Sequence, residues 1–109
     1  MTPVVFHVLL ALADGDSHAY QIMKDVPERT GGAIEIGPGS LHYTLGKLLD
    51  AELVEESDHR PRPDEDDPRR KYYRLTTRGR EVLSAEAALL ADIVDFAFEK
   101  GLIPERGSS

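Results

Sequence analysis

Five polar side chains crowd one short stretch of this chain: Ser40, His42, Tyr43, Thr44 and Lys47, within "GPGSLHYTLGKLL" at residues 37–49. Together they offer hydroxyls, an imidazole and an ammonium, with no acid among them. Such a set is suited to phosphate oxygens and to the edges of bases. Leu41, Leu45 and Leu48 recur at helical spacing, so a helix over roughly Pro38–Glu52 would bury its leucines and turn the polar set outward. The Gly-Pro-Gly run sets the entry of that helix, whose free N-terminal amides can meet phosphate. The plainer alternative is a core helix with an arbitrary polar exterior.

Catalytic chemistry finds less support. There is no cysteine and no Gly-x-Ser-x-Gly elbow, and the Gly-Pro-Gly run lacks the lysine of a phosphate-binding loop. The histidines at 7, 18, 42 and 59 have no metal-ligand spacing. No enzyme activity, cofactor or metal is therefore expected.

The elements that must position the polar set are legible on either side. Thr2 and Pro3 make an N-cap and first helical position, and Val4 to Ala13 is apolar on nearly every side, as a helix buried by its neighbours would be. Ser17 is placed to cap a second helix in which Ala19, Ile22, Met23 and Val26 share a face. Pro27 should kink that helix or end it early, and Gly31-Gly32 terminates it. "AIEI", 33–36, reads as a small strand. After the third helix, 53–59 and 71–76 are strand-like, with one of Tyr72 and Tyr73 facing inward because strands alternate. Between them "RPRPDEDDPR" reads as an exposed tip. Thr76 or Thr77 caps a last helix reaching about Lys100. The whole is mostly α with a small β-ribbon (α+β): a winged helix-turn-helix over 1–76, a long C-terminal dimerisation helix over 77–101 and a flexible tail over 102–109.

Bulk properties agree with a soluble domain. The 109 residues are 40% hydrophobic and 30% charged. No run reaches the roughly 18 to 20 apolar residues needed to cross a bilayer, and Val4–Ala13 lacks the flanks of a signal peptide. Absence of cysteine fits a reducing cytoplasm. The net charge of -7 argues against a nucleic-acid partner, yet "RRKYYRLTTRGR", 69–80, holds six basic residues and no acid. A locally basic strip on an acidic body is compatible with DNA.

With these residues in view, the sequence resembles the PadR family of transcriptional regulators, in its short form with a single C-terminal dimerisation helix. "VVFHVLLALADGDSHAYQI" is similar to the family's first helix, turn and second-helix opening. "IGPGSLHYTLGKLLDAELVEE" is similar to its recognition helix and first ribbon strand, and "RRKYYRLTTRGREVL" to its second strand and the root of the long helix. The likeness runs from about Pro3 to Leu102. Ala19 and Glu52 stand where the family usually has Gly, and His42 stands where it has a tyrosine held to touch the DNA backbone. Either His42 or the adjacent Tyr43 takes over that contact.

The resemblance implies a homodimeric repressor of double-stranded DNA on a near-palindromic operator, its half-sites roughly 34 Å apart. On the third helix Ser40, His42, Tyr43, Thr44 and Lys47 would meet the duplex. His18 and Tyr20 would touch its backbone, and Arg69, Arg70 and Lys71 would clamp phosphates from the ribbon. Val82, Leu83, Leu89, Leu90, Ile93, Val94, Phe96 and Ala97 form a broad apolar stripe, more than the body can cover, which a second copy would bury. Family members often answer to small aromatic or lipophilic effectors; here the walls would be Phe6, Leu9 and Leu10 with Ile93, Phe96 and Phe98. The rival reading is a winged-helix interaction adaptor that has lost DNA binding, favoured by the acidic net charge, His42 and Glu52.

Overall fold

Each helix begins where its capping chemistry begins. In the computed structural model, which describes residues 1–58 and 70–104, the Thr2 hydroxyl accepts from the Val5 amide and Pro3 opens α1, Pro3–Ala11. The short strand β1, Ser17–His18, leads into α2, Ala19–Thr30. Then come α3, Pro38–Asp50, the strands β2, Val54–Ser57, and β3, Tyr72–Leu75, and α4, Thr77–Glu99. The Thr76 hydroxyl accepts from the Gly79 amide at 2.9 Å and caps α4. Arg69, His59, the acidic tip at 64–67 and the end of the tail at 105–109 lie outside the described residues.

The sheet is antiparallel in the order β1-β3-β2, with Ser17 opposite Tyr73 and Glu55 opposite Arg74. Helices around a small sheet whose β2–β3 ribbon forms the wing make this a winged helix-turn-helix with a long C-terminal helix. Its core gathers Val8, Leu9 and Leu12 of α1 and the turn after it, Ile22 and Val26 of α2, and Leu41, Leu45 and Leu48 of α3. Val54, Tyr73 and Leu83 complete it. Leu83 belongs to α4, so the root of the long helix shares the body's core instead of standing apart from it after Thr76.

Three local expectations are corrected. Residues 33–36 form no strand: Ile34 and Ile36 are half-buried against the core, but the sheet edge is taken by Ser17–His18. Ser17 therefore does not cap α2; His18 does, its Nδ1 accepting from the Gln21 amide at 3.3 Å. Pro27 does not end α2 either. Its ring forgoes the bond to the Met23 carbonyl, but burial of Ile22 and Val26 carries the helix through to Thr30, where Gly31 closes it in a left-handed conformation. As alternation requires, one tyrosine of the ribbon faces inward, although both are buried. Tyr73 enters the core, while Tyr72, on the opposite face of a central strand, is covered by the His18 ring, edge-on at 5.2 Å. Burial, and then the charge of Glu56, holds the Tyr73 phenol above its ordinary value, so it stays protonated at neutral pH.

The end of α3 is a Schellman turn: the Leu53 amide donates to Leu48 and the Glu52 amide to Leu49, both at 3.0 Å. Glu52 sits at φ 61°, alone among the described non-glycine residues in having positive φ. Ala19 is an ordinary helical residue and carries no such strain. Left-handed backbone costs an L-residue about 1 to 2 kcal/mol, against about 0.4 to 1 kcal/mol for the extra freedom glycine brings to the unfolded chain. Glu52→Gly is therefore expected to stabilise the protein by about 0.5 to 1 kcal/mol. A thermal melt whose midpoint stayed put or fell would contradict that balance.

Candidate nucleic-acid interface

The leucine stripe orients α3. With Leu41, Leu45 and Leu48 in the core, Ser40, His42, Tyr43 and Lys47 are turned outward and Thr44 is half-buried. Tyr43 is 64% exposed, and the Lys47 ammonium sits 5.1 Å from its ring centroid, one helical turn on. An aromatic ring and a cation thus leave the helix as one unit. Gly37 caps α3 without a side-chain bond, so the first amides of the helix have no capping hydroxyl or carboxylate.

A second group forms where β1 meets α2. Tyr20 is 62% exposed and stacks on His18, ring centroids 6.4 Å apart and planes 19° apart, while His18 in turn rests on Tyr72. Tyr20 is thus a surface side chain held in place by an aromatic neighbour, and not part of the core.

The ribbon is less basic than its linear sequence. Arg70 and Lys71 are exposed at the entry to β3, but β2 lays acids beside this strand. Lys71 Nζ lies 3.8 Å from Glu56 Oε1, and Arg74 Nε donates to Glu55 Oε1 at 2.8 Å. The hydrogen bond and charge of Glu55 raise the already high pKa of Arg74. Ser57, at the far end of β2, donates to Asp16 and ties the ribbon to the turn before β1.

The predicted apolar stripe divides along α4. Leu83 serves the body's core and Val82 is half-buried, whereas Leu89, Leu90, Ile93, Val94 and Phe96 are exposed and Ala97 is half-buried. The expected effector walls do not come together as a set. Leu9 is wholly buried in the core and Leu10 packs against it, while Ile93, Phe96 and Phe98 face solvent. Only Phe6 of that set lines a cleft of about 240 Å³ between the start of α1 and α4, with Met1, Thr2, Pro3, His7, Glu86 and Leu90. There the buried Nδ1 of His7 has no hydrogen-bond partner among the described residues.

Among the described residues no cluster of three His, Asp or Glu side chains is arranged to hold a metal, and no helix is long and apolar enough to cross a membrane. What sequence reasoning missed is the joint beneath α3. The Thr76 hydroxyl donates to the Glu52 carbonyl at 2.7 Å while accepting from Gly79, and Gly79 lies against the Leu53 backbone. The signal for it was a glycine three residues after the capping threonine.

A winged helix with a polar, cation-bearing third helix is an architecture that occurs among DNA-binding proteins. Residues 8–85 match the transcriptional regulator PadR-like family, and the chain belongs to that family, one of regulators and not of enzymes. The fold is similar to a crystal structure of a PadR family transcription regulator from Clostridium difficile, at 21% identity and a TM-score of 0.75, covering 90% of this chain and 97% of that one. It is also similar to Bacillus subtilis PadR in complex with operator DNA, at 20% identity and a TM-score of 0.66, covering 79% of this chain and 47% of that one. An uncharacterized 37.1 kDa protein of a Streptomyces fradiae transposon is 37% identical over 98 residues, 90% of this chain. The chain spans about a quarter (26%) of that relative's length.

Proposed function

We propose that this chain is a sequence-specific, double-stranded-DNA-binding transcriptional repressor that acts as a homodimer on a near-palindromic operator. The single observation that carries the reading is the outer face of α3, where Tyr43 and Lys47 project as a pair beside Ser40 and His42. Membership of a regulator family supports it, as does the operator complex of its Bacillus subtilis structural neighbour. In this reading α3 enters the major groove. His18 and Tyr20 contact the backbone, and Arg70 and Lys71 reach phosphates from the wing.

The exposed apolar side chains between Leu89 and Phe98 of α4 are the proposed seat of a second copy, since six large apolar side chains stand open within ten residues of one helix. The cleft between α1 and α4, with Phe6 and the unpartnered His7 nitrogen, is the proposed place for a small aromatic effector bearing a hydrogen-bonding group. The offset charges of the wing favour a second reading, an interaction adaptor that leaves DNA alone.

The deciding experiment is a gel-shift titration on the DNA flanking the protein's own gene. Lys47→Ala and Arg70→Ala are each expected to weaken binding by about 1 to 3 kcal/mol, and loss of a phosphate contact should lower the salt slope by about one. Full affinity in both variants would overturn the site assignment. No binding by the parent protein would favour the adaptor.

A further inference from the structure

The run 69–80 is basic in sequence, but in the fold Lys71 and Arg74 lie next to acids of β2. Glu56 stands opposite Tyr73, and Lys71, two residues earlier on the same side of the strand, lies diagonally across from it. Their charged groups are 3.8 Å apart, with the side chains 71% and 57% exposed. A pair this open and this long is weak and readily exchanged. The Glu56 carboxylate is an anion already within reach of the lysine, and a phosphate would have to compete with it. The same strand also supplies Glu55 to Arg74, and Asp16 and Asp58 add to the negative field there.

We propose that Glu56 is an electrostatic brake on the wing: it engages Lys71 in the free protein and so withholds that ammonium from the phosphodiester backbone, keeping purely electrostatic binding to duplex DNA weak. The proposal rests on the DNA-binding reading above and assigns it an affinity-setting residue that itself carries the wrong charge for DNA. Its physical basis is that non-specific affinity comes almost wholly from cation–phosphate contacts. One carboxylate beside a contacting lysine therefore weighs more in that mode than one placed elsewhere on the surface.

The test uses the full-length protein and two duplexes, the DNA flanking its own gene and one of random sequence. Glu56→Gln, nearly the same shape, is compared with Glu99→Gln, which removes the same charge at the far end of α4. Glu56→Gln should tighten binding to the random duplex roughly twofold to fivefold and steepen its salt slope by up to about one, with Glu99→Gln changing little. In a Lys71→Ala background the gain should vanish, because the brake acts through that lysine. Equal effects of Glu56→Gln and Glu99→Gln would mean that only net charge matters, and would overturn the proposal while leaving the DNA-binding reading intact. A gain that persists without Lys71 overturns it as well. If neither parent nor variants bind either duplex, the DNA-binding reading fails and the brake with it.

Discussion

Gly79→Ala is expected to destabilise the protein by about 3 kcal/mol or more, a midpoint loss on the order of 10 °C, although helix propensity alone predicts the opposite sign. Gly79 lies in the first turn of α4, where alanine would ordinarily add about 1 kcal/mol to stability. A Cβ there, however, would sit 1.9 Å from the Leu53 carbonyl oxygen and 2.9 Å from its carbon. These are backbone atoms and have little room to yield. The Leu53 amide closes the Schellman turn on Leu48, and its carbonyl accepts from the Thr76 amide at 3.1 Å. Relief would break one of those bonds or lift α4 off the body and pull Leu83 from the core. Gly46 is the internal control: it is also helical, a Cβ added to it would meet nothing within 4 Å, and Gly46→Ala should stabilise by about 1 kcal/mol. Thermal unfolding of both variants measures the contrast; a Gly79→Ala midpoint equal to or above the parent's would show the close approach to be harmless.

The second large effect concerns assembly. Ile93→Asp together with Phe96→Asp should convert a dimer into monomers at micromolar concentration, halving the solution mass to the 12.1 kDa of one chain. Ile93 is 55% and Phe96 59% exposed, so neither change opens a hole in the body. Against a partner each would bury an apolar side chain contributing about 1.5 to 3 kcal/mol, and an aspartate in its place adds the cost of an unpaired charge. Operator affinity should fall with the mass, by roughly a hundredfold or more, since the second half-site would no longer be held at high effective concentration. Sedimentation equilibrium reads the first outcome and gel shift the second. A parent protein that is already monomeric at tens of micromolar would remove the two-half-site arrangement altogether.

Much of the fold was legible because it rests on local rules. The Thr2 and Thr76 caps, the glycine closing α2 and the Leu41-Leu45-Leu48 stripe each follow from short-range geometry. Errors arose where pairing partners are distant in sequence. Residues 33–36 alternate like a strand, but a strand needs an edge, and Ser17–His18 holds the free side of β3. Alternation turns Tyr73 alone into the core, as it should; the burial of Tyr72 is not encoded in it, because a central strand has two covered faces and His18 provides the second. At the candidate site, the outward set on α3 could be read from helical periodicity. The charge balance of the wing could not, because Glu55 and Glu56 become neighbours of Arg74 and Lys71 only through the β2–β3 register. The closeness of Gly79 to Leu53 is likewise a tertiary fact that no spacing encodes.

The Thr76 hydroxyl, shared between the Glu52 carbonyl and the Gly79 amide, has a mechanical consequence. It pins the last turn of α3 and the first turn of α4 to one point, with Leu53 wedged between them and no slack segment to absorb rotation. A rod of 23 residues, about 34 Å long, is thereby joined rigidly to α3. In a symmetric pair, the angle at which two such rods cross would dictate the spacing of the two α3 helices, and a tilt of a few degrees at the far end would be felt in ångström units along the duplex.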